Sequence, residues 1–134
     1  MGQTGGCHCG AVRYAVVGEP QHVSLCHCSD CRRSAGAPVV SWAAFSKENF
    51  KVTSGKARSR NSSGDAYRHF CPDCGTGLWY TNETMLPGLV DIQTATLDDP
   101  ETLIPVLHVQ TAEELSWMNH IQRLPKYYRY PGMD

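Results

Sequence analysis

No stretch of this chain is apolar for long enough to cross a bilayer as a helix, which takes about 20 residues. The first residues, Met1-Gly2-Gln3-Thr4-Gly5-Gly6-Cys7, lack the basic and apolar segments of a secretory signal. Gly6 stands where a myristoylation signal asks for Ser or Thr. A cytoplasmic protein with no membrane contact is therefore expected. An excess of one charge is also missing: 12 Lys and Arg oppose 13 Asp and Glu, and only 19% of the chain is charged. Without a basic segment there is no electrostatic reason to bind nucleic acid, and none is expected as a partner. Internal repeats and long linkers are absent as well, so the 134 residues read as one domain spanning 1–134.

What the chain does have is cysteine. Seven cysteines, an odd number with no export signal, argue against a disulfide framework and for thiolate chemistry. Seven thiolates against two divalent cations would add three negative charges, taking the net charge from −1 to about −4. Twelve glycines and eight prolines favour many short elements joined by turns.

The pattern along the chain is mainly β. Strands are predicted over residues 11–17, 22–25, 39–45, 50–53, 78–80, 89–94 and 103–109. A hairpin is predicted with arms at 57–60 and 67–70. Ser29 is a candidate N-cap for one helical turn through Cys31-Arg32-Arg33. Thr111-Ala112-Glu113-Glu114 has the form of a capping box and predicts one short C-terminal helix, with Trp117 on its packing face. The tail over 121–134 is aromatic and bounded by Pro125 and Pro131, which suits packing along the surface or against a second copy in a homodimer.

The cysteines divide four plus three. Cys7-x-Cys9 and Cys71-x-x-Cys74 are chelating pairs far apart in sequence, and together they make a closed tetrathiolate zinc site. Gly75 allows positive φ while backbone N–H groups face the sulfurs, and Pro72 presets that turn. Cys26, Cys28 and Cys31 remain, three ligands for a metal that takes four. Either a histidine closes this second site, with His8, His22, His27 and His69 eligible, or the fourth position exchanges. His27 lies between two ligands, so its side chain should point away from them. Three thiolates make zinc a poor Lewis acid and a weak activator of water. They suit a soft visitor, a substrate thiol held as thiolate for attack on an electrophilic carbon.

Three segments then carry a resemblance: Gly6-Cys7-His8-Cys9-Gly10-Ala11-Val12-Arg13-Tyr14, Cys26-His27-Cys28-Ser29-Asp30-Cys31-Arg32, and Phe70-Cys71-Pro72-Asp73-Cys74-Gly75-Thr76. They resemble the glutathione-dependent formaldehyde-activating enzyme family, which also includes centromere protein V. His108 followed by Trp117 is similar to the family's C-terminal segment, so the likeness covers a core of roughly 5–120. The resemblance implies an antiparallel β-tent of small sheets. It implies a structural zinc on Cys7, Cys9, Cys71 and Cys74, and a catalytic zinc on Cys26, Cys28 and Cys31. The implied activity is that of a carbon–sulfur lyase joining glutathione to formaldehyde, an S-(hydroxymethyl)glutathione synthase, with a small-molecule thiol and an aldehyde as substrates. The chain shows no glutathione-specific segment.

Arg32 and Arg33 are candidate contacts for a thiol's carboxylates, and Trp42, with Ser41, for a pocket wall. Asp30 is read as a cap, His69 as a hydrogen-bonded structural histidine, and Arg58, Arg60 and Arg68 as a solvated face. Two other readings compete: a non-catalytic two-zinc interaction module, and a redox or metal-buffering role for the exposed thiolates. The absence of basic segments weighs against a chromatin role.

Overall fold

The computed structural model describes residues 2–133. Ten strands make two sheets. Strands β1 (Gly2–Gly6), β2 (Arg13–Val17) and β5 (Phe50–Ser54) form a three-stranded antiparallel sheet in the order β1-β2-β5. The other strands are β3 (His22–Cys26), β4 (Val40–Ser46), β6 (Arg58–Ser63), β7 (Ala66–Phe70), β8 (Gly77–Asn82), β9 (Leu89–Gln93) and β10 (Leu107–Val109). They form a seven-stranded sheet in the order β10-β3-β4-β9-β8-β7-β6. All its pairs are antiparallel except β10 with β3, which run parallel, a departure from the all-antiparallel expectation.

The core lies between the sheets. Tyr14 and Val16 of β2 alternate inward and meet Phe45, Leu78, Val90 and Ile92 of the larger sheet, all nearly inaccessible. Phe50, Tyr14 and Trp79 form an aromatic cluster with edge contacts at 4.8 and 6.2 Å. Within the small sheet, the chain entering β2 and the chain leaving β5 pass very close together. Gly55, at φ 75°, has its Cβ position 1.9 Å from the Ala11 carbonyl oxygen. Gly55→Ala therefore combines a left-handed backbone with a backbone clash and should destabilise the protein by about 2 kcal/mol. Denaturant unfolding measures this, and a midpoint equal to wild type would show that the Ala11 carbonyl can swing aside.

The single α-helix among the described residues, α1 (Ser29–Ala35), extends the turn expected at Cys31. Its cap is not Ser29 but Cys28, whose thiol accepts the backbone N–H of Cys31. Gly36 ends the helix at φ 64°. The C-terminal segment also differs from expectation. Thr111–Glu113 and Ser116–Arg123 are separate 3-10 helices, interrupted by extended backbone at Glu114 and Leu115. The capping box does not form, because Thr111 lies inside its 3-10 turn, whose N-cap is Gln110, and Glu114, the box's glutamate, is already extended; the neighbouring Glu113 carboxylate accepts the N–H of Ser29 at the start of α1. Trp117, expected to pack, is half exposed. In the tail, Tyr127, Tyr128 and Tyr130 project their rings to solvent. None of these helices is long and apolar enough to cross a membrane.

Candidate metal centres

The turn after β1 and the turn between β7 and β8 come together at four cysteines. The sulfurs of Cys7, Cys9, Cys71 and Cys74 all lie within 4.8 Å of one another. Cys7 and Cys9 sulfurs are 3.6 Å apart, Cys9 and Cys71 3.8 Å. With zinc–sulfur bonds of about 2.3 Å, the edge of a zinc-centred tetrahedron is about 3.8 Å, so the cluster fits that ion. The backbone is shaped to it. The Val12 N–H donates to the Cys7 sulfur and the Cys74 N–H to that of Cys71, while Gly75 at φ 84° closes the second turn onto the Cys71 carbonyl. Thr76 draws the Cys74 thiol down to about 5 by hydrogen bonds from its hydroxyl and its backbone.

The second cluster is carried by β3 and α1. The sulfurs of Cys26, Cys28 and Cys31 again lie within 4.8 Å, with Cys26 and Cys28 at 3.6 Å. Cys26 is drawn down and Cys31 pushed up, each chiefly by the hydrogen bond between them. The donor set is three sulfurs and fits one face of a tetrahedral soft-metal site. His27 does not turn toward it. The ring is fully buried on the opposite side, with Nε2 2.8 Å from Nδ1 of His108. His8 and His69 are also placed elsewhere. The His8 N–H donates to Thr76 beside the other cluster, and His69 stacks on Trp79 and bonds Thr81.

A cavity of about 390 Å³ opens on the triad. Trp42 and Tyr80 form its apolar wall, with their rings 5.8 Å apart. Arg68, read from sequence as part of a solvated face, is instead 9% exposed and faces this cavity. Its guanidinium pairs with Asp30 at 2.7 Å, reaches the Cys31 sulfur at 3.6 Å and covers the Tyr80 ring. Asp30 also accepts from Ser62 and Ser63, so it clamps α1 to the β6–β7 hairpin rather than capping its own turn. The signal in sequence was the β7 alternation, which sets Arg68 on the same face as Ala66 and Phe70.

Of the residues expected to touch substrate, Trp42 lines the triad cavity. Arg32 and Arg33 do not. They border a separate shallow depression with Leu115 and Trp117, and Arg32 donates to the His27 carbonyl. Ser41 accepts a hydrogen bond from Thr94. Sequence reasoning missed Asp91. It is 8% exposed on β9 and lines the cavity, and one of its carboxylate oxygens is buried without a hydrogen-bond partner. Burial pushes its carboxyl up to about 7. Nothing in the local pattern marks it, because an Asp in a strand reads as an exposed position.

The model of the glutathione-dependent formaldehyde-activating enzyme family matches residues 2–113. The chain belongs to this family. Both cysteine clusters lie inside the matched region. A protein of Halomonas elongata, named provisionally as a glutathione-dependent formaldehyde-activating enzyme, is 33% identical over 85 residues, covering 56% of this chain and 53% of its own. An uncharacterized lyase of Schizosaccharomyces pombe is 32% identical over 80 residues, 58% of each chain. The chain thus matches a little over half the length of these relatives. A crystal structure of a Rhodobacter sphaeroides protein shares the fold, with a TM-score of 0.63 at 24% identity, covering 79% of this chain and 99% of that one. For a member of the family, the two clusters each offer a set of donors that could hold a metal ion.

Proposed function

We propose that this protein is a zinc-dependent carbon–sulfur lyase that adds a glutathione-like thiol to a small aldehyde such as formaldehyde, or runs the reverse. The observation that carries this reading is a three-sulfur cluster opening on a cavity. Cys7, Cys9, Cys71 and Cys74 would hold a structural zinc, and Cys26, Cys28 and Cys31 a catalytic one. A zinc held by the triad supplies a lowered thiol pKa, keeping an incoming thiol as thiolate at neutral pH.

The protein's own groups prepare that chemistry. The Cys31 N–H donates to the Cys28 sulfur, and Arg68 lends positive charge to the Cys31 sulfur; both favour thiolate over thiol. Trp42 and Tyr80 exclude water from one side of the cavity, which protects a reactive aldehyde and strengthens the local electrostatics. The thiolate sulfur attacks the carbonyl carbon. A sulfur–carbon bond forms, the carbonyl π pair moves to oxygen, and that oxygen takes up a proton equivalent to the one the thiol released on becoming thiolate.

A second reading, a non-catalytic two-zinc interaction module, draws on the exposed rings of Trp117, Tyr127, Tyr128 and Tyr130, which offer an aromatic surface to a partner or a second copy. Zinc counting with zinc-edge X-ray absorption separates the two. The enzyme reading expects two zinc ions per chain and one added sulfur in the second site's shell when glutathione is supplied. A shell unchanged by glutathione would sink thiol ligation.

A further inference from the structure

The triad cavity contains a polar group that the thiol chemistry does not use. Asp91 is more than nine-tenths buried and faces the cavity, and it makes no side-chain hydrogen bond among the described residues. A buried carboxyl without a partner is costly to ionise, and a cation arriving in the cavity is the partner that would favour its charged form. Its position follows from strand register. Arg68 pairs with Tyr80, Tyr80 with Asp91, Asp91 with Ala44, and Ala44 with His22. Directly paired residues share a sheet face, so this row crosses the sheet on one side, with Arg68, Tyr80, Asp91 and His22 all lining the cavity. The small side chain of Ala44 leaves room between Asp91 and His22.

The row gives the cavity two ends. At one end Arg68 touches the Cys31 sulfur. Asp91 stands two strand spacings from Arg68, about 10 Å along the sheet. That spacing is within reach of the far end of an extended thiol whose sulfur is held at the triad. Charge decides what Asp91 meets there. The one cavity guanidinium is already paired with Asp30, and three thiolates around a divalent ion leave a net negative charge. The far end therefore suits a cation.

We propose that Asp91 is a substrate-recognition residue that binds the ammonium group of an amino-acid-type thiol whose sulfur sits at Cys26, Cys28 and Cys31. His22 Nδ1, also buried and unpartnered, is a second hydrogen-bonding group at the same end. The inference rests on the thiol-binding reading of the triad and narrows its substrate class to thiols with an α-amino group several bonds from sulfur.

Calorimetric titration of the zinc-loaded protein tests it with three thiols: glutathione, glutathione lacking its amino group, and 2-mercaptoethanol. Wild type should bind glutathione about tenfold or more tightly than the des-amino analogue, the range expected for a hydrogen bond to a charged group. Asp91→Asn should bind the two alike. Equal wild-type affinity for both, or discrimination kept by Asp91→Asn, overturns the assignment of Asp91 while leaving thiol binding at the triad intact. The 2-mercaptoethanol titration separates that failure from a deeper one. If none of the three thiols binds, the reading of the triad as a thiol site falls, and this subsite with it.

Discussion

Replacing Cys71 by serine is expected to remove one zinc ion and the fold together, whereas Cys31→Ser removes one zinc ion and leaves the fold. Both residues are buried, so exposure does not separate them. What separates them is what each cluster joins. Cys7 and Cys9 follow β1 of the small sheet, and Cys71 and Cys74 follow β7 of the large one. A metal there ties the two sheets across a core that also contains Cys7 and Cys71. Structural zinc binding in small domains reaches about 10–16 kcal/mol, comparable to a domain's whole stability. The triad joins only β3 to α1, and α1 is also held by Asp30 to Arg68 and by Glu113 to Ser29. Zinc content by elemental analysis with thermal unfolding by circular dichroism reads both effects. A Cys71→Ser protein melting within a few degrees of wild type would overturn this division of labour.

The second large effect is on pH dependence. Burial pushes the Asp91 carboxyl up to about 7, against 3.8 for an exposed Asp. The folded protein therefore holds a proton between pH 4 and pH 7 that the unfolded chain has released. Stability falls as pH rises wherever the folded state binds more protons, so the carboxyl's contribution is complete below pH 4 and lost as pH passes 7. The loss integrates to about 4 kcal/mol as an upper figure. The groups facing Asp91 from neighbouring strands are the Tyr80 phenol, the His22 imidazole and, beyond Tyr80, the Arg68–Asp30 pair. The sole cation of that set is already neutralised. Asp91→Asn cannot ionise, so it should match wild type below pH 4 and be more stable by about 2 kcal/mol at pH 5 and about 4 kcal/mol at pH 8. Paired denaturant titrations measure this, and the pH dependence of the zinc sites cancels between the two proteins. A stability difference that is the same at both pH values would show that Asp91 is not held protonated.

Much of the metal chemistry was legible in sequence because chelation is local. Each C-x-C or C-x-x-C pair is made by one turn, and turn residues such as Gly75 act over two or three positions. Strand positions were legible for the same reason: Tyr14 with Val16 and the 57–60/67–70 hairpin follow from alternation and turn chemistry. The errors came where a distant partner outbid a local preference. The α1 cap is the exception, a local miss by one residue: the Cys28 thiol, three positions before Cys31, takes its N–H. The Thr111 capping box failed because the chain leaves the helical region at Glu114, while the neighbouring Glu113 bonds Ser29, 84 residues away. Arg68 looked solvated until the sheet turned it onto Asp30 and Cys31.

By itself, then, the sequence determined that seven thiolates split into a set of four and a set of three, within a chain of mainly short strands. Ligand identity and turn geometry are properties of a few consecutive residues. Tertiary structure decided what stands around the three. It turned His27 away to His108, set Arg32 and Arg33 on another surface, and brought Arg68 and Asp91 in from separate strands. The placements of Arg68 and Asp91 depend on strand order and register across β3, β4, β9, β8 and β7, and no residue in that row is adjacent in sequence to the next.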